Sequence, residues 1–434
     1  MPVLSNKKSS SDTDMVVLWI VNNALPEAEY LLSGRKTEIK TTGGWVYGYA
    51  SALLEHHEVD LHIASIHFGV RELTVLKGER ITYYLVPCPK GSLVYDRDQE
   101  EIWRRIGGMV NPDVVHIHGT EFAHSLASFR VFDPEKTVIS IQGLKSAYWE
   151  YYTQGFTPSE LRRGWTVRDL LKGNMLHEQK LFRKSGELEA ELLRECRHVI
   201  GRTSWDRARV WALNPSARYH FCNEVLRPEF YDGRRWDYER CSRHTVFLSQ
   251  AEYAIKGLHQ VLKAMPLVLR EYPDAKVRVA GWNITDAPWY RIHGYGKLLR
   301  RCIRDNGLSD AVTFVGHLNA EEIKEEYLRS NVFVCPSSIE NSPNSLGEAQ
   351  ILGVPCIASY VGGVMDMMKG NEDNLYRFEE VSMLAAKICR VFADRGCQTD
   401  MSSEAADRHD PKKNSAVLMS IYGELASPVK SLEI

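Results

Sequence analysis

The sequence has little of what would set it apart from ordinary globular proteins. No apolar run approaches the ~20 residues needed to cross a bilayer; stretches such as residues 15–21 are among the longest. No Cys-x-x-Cys pair occurs among Cys88, Cys196, Cys222, Cys241, Cys302, Cys335, Cys356, Cys389 and Cys397. An odd, unpatterned set argues against a disulfide framework and for a reducing compartment. Excess charge is missing too: 54 Lys+Arg against 56 Asp+Glu leaves a formal charge of −2. Dedicated nucleic-acid binding normally leaves a strongly basic footprint. No repeat of about 20–50 residues recurs, which excludes solenoids and propellers. The amino terminus is a polar tail without the h-region and cleavage site of a signal peptide. A cytoplasmic protein is expected.

What is present is a 434-residue chain with 44% hydrophobic and 25% charged residues. Single cores stop growing near ~250–300 residues, so at least two domains are expected. Short Val- and Ile-rich runs at 15–21, 60–66, 81–86, 113–117, 137–141 and 198–202 alternate with helical stretches at 45–56, 99–107, 122–129 and 158–196. Ser204 reads as the N-cap of a further helix. The second half repeats the pattern, with strands at 244–249, 275–280, 311–315, 331–335 and 355–359 and helices at 256–272, 288–306, 320–330 and 344–352. Such alternation predicts an α/β fold with parallel sheets buried on both faces. Residues 223–243 read as a linker, 396–407 as a polar loop and 414–425 as a final helix. Two doubly wound, Rossmann-like domains facing across a cleft would bind ligands beyond the carboxyl ends of their strands.

The richest segment runs from Cys335 through Pro-Ser-Ser-Ile-Glu340-Asn-Ser-Pro-Asn344-Ser-Leu-Gly-Glu348 to Gly353-Val-Pro355. A strand ends in a loop, and a helix opens near Asn344. The N–H groups of Asn344, Ser345 and Leu346 at that helix start suit a phosphate. Glu340 and Glu348 can accept hydrogen bonds from sugar and ribose hydroxyls. Taken alone, two acids near a helix start also fit simple dipole compensation.

Together with Ala-x-x-x-Gly-x-Pro-x-Ile-Ala-Ser and Gly362-Gly363, this Glu-x7-Glu pattern resembles the donor-sugar signature of the retaining glycosyltransferases of family 4. The resemblance implies a GT-B fold, with an acceptor domain over residues 1–222, a donor domain over 223–395 and a C-terminal segment, 410–434, crossing back to the first domain. It casts Lys256, in Ala-Ile-Lys256-Gly, as the cation for the donor diphosphate, with Gln250-Ala251 where relatives commonly carry an Arg. It brings Gly281 and Leu318 to the nucleotide, His118 to the donor sugar, and the Thr-Thr-Gly43-Gly44 loop to the phosphates. Asn341-Ser342 stand where the family usually has Gly-Phe.

The activity implied is metal-independent transfer of a hexosyl unit, with retention, from a nucleoside diphosphate sugar to a glycan or lipid-linked acceptor hydroxyl. Polysaccharide or cell-envelope biosynthesis is the implied setting. Neither a cofactor nor a metal site is expected. A nucleotide-sugar 2-epimerase on the same fold and a non-catalytic nucleotide-sugar-binding protein remain open. His116 and His118 share a strand face but lack a third ligand in register for zinc, and His116 reads as a core histidine. Asp12-Thr-Asp14 and Asp96-Arg-Asp98 spell the Asp-x-Asp metal string of the other glycosyltransferase fold, the first in the tail and the second at a helix start. Residues 151–185 carry seven basic side chains against three acidic ones, interleaved with Trp165, Leu170, Leu171 and Leu181. This segment reads either as a solvated helix pair covering the first domain, or as an acceptor platform or a patch facing an anionic membrane surface.

Overall fold

The computed structural model describes residues 14–35, 44–395 and 399–427. Two sheets organise it. The first has eight strands: β1 (Met15–Val21), β2 (Val59–His67), β3 (Thr74–Lys77), β4 (Ile81–Pro87), β5 (Val114–His118), β6 (Thr137–Ser140), β7 (His198–Gly201) and β8 (Arg218–Phe221). Their order is β3-β4-β2-β1-β5-β6-β7-β8, parallel throughout except for β3 against β4. The second sheet has six: β9 (Ser242–Leu248), β10 (Lys276–Ala280), β11 (Val312–Gly316), β12 (Ser330–Cys335), β13 (Cys356–Ser359) and β14 (Leu375–Tyr376). Their order is β11-β10-β9-β12-β13-β14.

Both sheets are covered on both faces, which is why their strands read as unbroken apolar runs. In β1, Val17, Trp19 and Val21 feed one core while Leu18 and Ile20 feed the core on the opposite face. β12 divides in the same way, Val332 and Val334 to one side and Phe333 and Cys335 to the other. Because strand side chains alternate, each strand holds two helical layers.

Three strands escaped the sequence reading, one of them the two-residue β14. β3 and β8 are four-residue edge strands with exposed or half-exposed side chains, so no buried run marks them. Much of the expected polar loop 396–407 folds instead: Ser402–Arg408 is a helix that packs on Asn344–Ile351. The helix expected from residue 288 starts at Gly294. The N-cap at Ser204 moves back by one: the Thr203 hydroxyl accepts from the Asp206 amide and Asp206 returns the bond, a capping box. The C-terminal helix, Pro411–Ala426, buries Leu418, Ile421, Tyr422 and Leu425 against the first sheet. There the Tyr422 hydroxyl accepts from Trp19 Nε1 at 2.8 Å.

Residues 151–185 do more than cover the first domain. Their helices Pro158–Gly164 and Val167–Lys172 reach the second domain's helix Gly294–Asp305. Lys297 donates to the Trp165 carbonyl at 2.7 Å, and Phe156 stacks on His259 at 4.2 Å. The solvated-pair reading is therefore corrected: one side of the segment is an interdomain contact. The other side is open, with Leu170 74% and Leu171 84% exposed.

Candidate active site

At the carboxyl ends of the strands lie two adjoining cavities that share Trp45, Lys256 and Glu340. One, about 310 Å³, is lined mostly by the second domain, including Gly281, Leu318, Asn344, Ser345 and Glu348. The other, about 430 Å³, opens on the first domain and includes His118, Glu121, Gln142 and Tyr148.

Lys256 sits where the two meet. Its Nζ donates to Glu340 Oε1 at 2.7 Å, and the Ser337 hydroxyl donates to the same oxygen at 2.8 Å. Burial alone would depress the ammonium, but the Glu340 carboxylate and Tyr253 outweigh it and raise the Lys256 pKa. The lysine is a permanent cation. The turn that carries it needs glycine next: Gly257 has φ 72°, and a Cβ there would lie 1.8 Å from the Pro336 carbonyl oxygen. This close approach clamps the lysine turn to the acid-bearing loop, as does the Ser338 amide donating to Ile255 O at 2.8 Å. Gly362 has the matching role on the other side, where a Cβ would meet the Glu340 carbonyl oxygen at 1.9 Å.

Glu348 is buried one turn into the helix Asn344–Ile351 and is held by Arg227, whose Nε and Nη2 donate at 2.8 and 2.9 Å. Burial would lower the guanidinium's pKa; Glu348 reverses that. This fork-to-fork geometry is the strongest form of such a pair. Arg227 comes from the segment read as linker, so only the fold brings it to the pocket. Asn344 Nδ2 donates to Glu224 Oε2 at 2.9 Å, and Glu224 pairs in turn with buried Arg202. Leu346 departs from the expected trio of amides. Its N–H donates to Pro343 O at 2.9 Å and its side chain is fully buried, leaving Asn344 and Ser345 at the helix opening.

On the first-domain side, His118 ends β5 with both ring nitrogens lacking a hydrogen-bond partner. Burial, then His116 and Arg202, push its pKa well down, so the ring is neutral. It stacks on His116 at 3.7 Å. His116 is itself satisfied, bonding Tyr422 through Nδ1 and Ser140 through Nε2. Glu121, which the sequence reading passed over, accepts from the Gly143 amide at 3.1 Å through Oε1, while Oε2 is unpartnered. Its pKa is raised by burial. Asn22 Oδ1 and Gln142 Nε2 line the same cavity and are also without partners.

Gly44 opens the helix Gly44–His56, whose next residue, Trp45, lines both cavities; Gly43 lies outside the described residues. Asn341 points away from the cavities. Thr203 Oγ1 donates to its Oδ1 at 2.7 Å and its Nδ2 donates to Asp206 at 3.0 Å, a latch between the domains. Asp96 of the second Asp-x-Asp string caps the helix Arg97–Val110 and pairs with Lys90 at 2.8 Å; Asp12 of the first lies outside the described residues.

Residues 242–408 match the family model for glycosyl transferases group 1. The second domain is a group 1 glycosyltransferase domain. Over 175 residues the chain is 25% identical to the D-inositol 3-phosphate glycosyltransferase of Corynebacterium urealyticum, covering 39% of this chain and 41% of that one. It is 34% identical over 112 residues to the amylovoran biosynthesis glycosyltransferase AmsK of Erwinia amylovora, 24% of this chain and 28% of that one. The aligned segments thus span well under half of these curated relatives. Among solved structures, sucrose-phosphate synthase from Thermosynechococcus elongatus superposes with TM-score 0.67 at 14% identity, covering 95% of this chain and 99% of that one. HepE of Anabaena, solved with UDP and glucose, superposes with TM-score 0.61 at 14% identity, covering 94% and 99%. The group 1 domain and its partner form a GT-B fold. Among the described residues no helix is long and apolar enough to cross a membrane.

Proposed function

We propose that the protein is a retaining glycosyltransferase of family 4, moving a hexosyl unit from a nucleoside diphosphate sugar to an acceptor hydroxyl. The observation that carries this reading is the shared wall of two cavities, one on the group 1 domain and one on the first domain, with Lys256 and Glu340 in it. In this reading residues 223–395 bind the donor and residues 1–222, with the returning C-terminal helix, bind the acceptor. The 310 Å³ cavity takes the nucleoside diphosphate. Gly281 and Leu318 line the base end, Glu348 faces the ribose, and Lys256 with the Asn344 and Ser345 amides meets the diphosphate. The structures solved with UDP support that assignment by fold alone.

Glu340 and neutral His118 hold the donor sugar's hydroxyls. The acceptor hydroxyl attacks C1 from the face the diphosphate leaves. The C1–phosphate oxygen bond breaks, the acceptor oxygen–C1 bond forms, and the acceptor proton passes to the departing phosphate oxygen. Fixed positive charge around the leaving group is the protein's main contribution, since preorganised dipoles and cations cost no reorganisation during reaction. No cofactor or metal enters this scheme. A glycan or lipid-linked glycan, as in polysaccharide assembly at the inner membrane face, is the acceptor class proposed.

The test is product analysis with UDP-, GDP- and ADP-hexoses and a panel of saccharide acceptors, with and without excess EDTA. The reading expects a glycosidic product with the donor's anomeric configuration, formed equally in EDTA. An inverted product, a strict Mn²⁺ or Mg²⁺ requirement, or conversion of the donor to its 2-epimer without an acceptor contradicts it.

A further inference from the structure

Away from the cleft, three elements bring metal-ligand atoms together. His198 opens β7, His220 lies on the edge strand β8, and Glu424 projects from the C-terminal helix Pro411–Ala426. Their ligand atoms all lie within 4.8 Å of one another. His198 Nδ1 is 3.1 Å from His220 Nε2, and the rings are stacked, 21° from parallel. These distances suit ligands on a single ion, since tetrahedral zinc holds nitrogen and oxygen donors at about 2.0–2.2 Å.

The neighbouring charges bear on the same point. Glu135 Oε2 lies 4.0 Å from His198 Nε2, too far for a hydrogen bond but near enough to add negative charge beside the pair. Arg197 pairs with Glu135 at 3.3 Å, and Arg218 pairs with Glu424 and fixes its carboxylate beside the imidazoles. The two arginines balance the two glutamates, so an incoming divalent ion meets neither strong attraction nor repulsion.

We infer that His198, His220 and Glu424 form a Zn²⁺-class site, closed by water, that fastens the C-terminal helix to the edge of the first sheet. Two imidazole nitrogens and one carboxylate oxygen favour zinc over magnesium or calcium, which prefer all-oxygen sites. The ligands lie 22 and 204 residues apart, so no sequence spacing announces them. The helix they hold also carries Tyr422, which bonds Trp19 and His116 behind the catalytic-side His118. The inference stands on its own geometry and does not depend on the glycosyltransferase reading.

The test uses full-length protein stripped of metal and titrated with ZnCl2 against a competing chromophoric chelator, with melting temperature followed in parallel. One saturable equivalent and a rise of several degrees are expected. Glu424→Gln, which removes no buried ring, should weaken that equivalent by about tenfold, and His198→Asn with His220→Asn should abolish it and the melting rise. X-ray absorption of the 1:1 complex should show two imidazole nitrogens. A wild-type protein that binds no zinc, or variants that bind and melt with zinc like the wild type, would overturn the site and leave a histidine–histidine hydrogen bond.

Discussion

The two walls of the cleft satisfy their polar groups in opposite ways. On the group 1 side the two acids singled out for the donor each face a cation: Lys256 with Glu340, Arg227 with Glu348. On the first-domain wall, Asn22 Oδ1, Glu121 Oε2, Gln142 Nε2 and both nitrogens of His118 are buried without partners. An unsatisfied buried polar atom costs about 1–3 kcal/mol, and in the proposed reading this cluster beside the cavity is where acceptor hydroxyls bind. Paired charges do the reverse. They fix side chains before a ligand arrives. In the proposed reading, the paired wall receives the donor and the wall with more unpartnered atoms receives the acceptor.

The sharpest way to break this contrast is to unpair the donor wall. Glu348→Ala leaves the Arg227 guanidinium buried and alone, which should cost about 3–5 kcal/mol and be read as lost stability in denaturant unfolding and as weakened nucleoside diphosphate binding. Stability within 1 kcal/mol of wild type would show that water relieves the arginine and that the wall is not rigid.

Glu340→Gln comes next. It keeps the shape and removes the charge opposite Lys256, so turnover should fall about 10²–10³-fold, the effect of removing one well-placed transition-state group. Calorimetry should find nucleoside diphosphate affinity within about threefold of wild type. Equal losses in Glu340 and Glu348 variants would erase the division between sugar and ribose contacts.

The acceptor wall should respond in kinetics and hardly at all in stability. Glu121→Gln keeps the oxygen that accepts from the Gly143 amide and removes a negative charge from a buried site, so unfolding should change by less than about 1 kcal/mol. KM for the acceptor should rise about tenfold, one lost hydrogen bond to a charged group, with the donor's KM unchanged. A large drop in stability would show that Glu121 is structural.

The smallest effect belongs to the exposed side of residues 151–185, where Leu170 and Leu171 project between basic residues. We propose that this side touches anionic lipid. Each Lys or Arg near such a surface is worth about 1 kcal/mol, so sedimentation with anionic vesicles should be weak, confined to low salt and lost in Arg162→Ser/Arg163→Ser/Lys172→Ser. Arg168 is left intact because it pairs with buried Asp169 at 3.4 Å. Wild type that ignores such vesicles refutes the contact.

The segment 335–355 was legible because strand end, loop, Glu340, helix start and Glu348 follow one another in the sequence, and the family 4 resemblance, not a local rule, singled out its acids for a donor. Lys256 was legible only through that resemblance, since alone it reads as an exposed lysine; the tight turn at Gly257 emerges from the structure. Arg227 was not, since its role comes from a segment with no period of its own folding under the Asn344 helix. Glu121 and Gln142 belong to separate loops after β5 and β6, and only the parallel order of those strands sets them side by side. The two-layer cores were readable from apolar runs, whereas β3 and β8 were not, because short edge strands bury too little to leave a pattern.

The central claim is that a nucleoside diphosphate binds beside Lys256 in the group 1 domain, and calorimetric titration of wild type and Lys256→Met with UDP, GDP and ADP tests it most directly. The account predicts one of the three bound 1:1 by the wild type, and affinity at least tenfold weaker in the variant. Wild type that binds none of them, or a variant that binds as tightly as wild type, would contradict it.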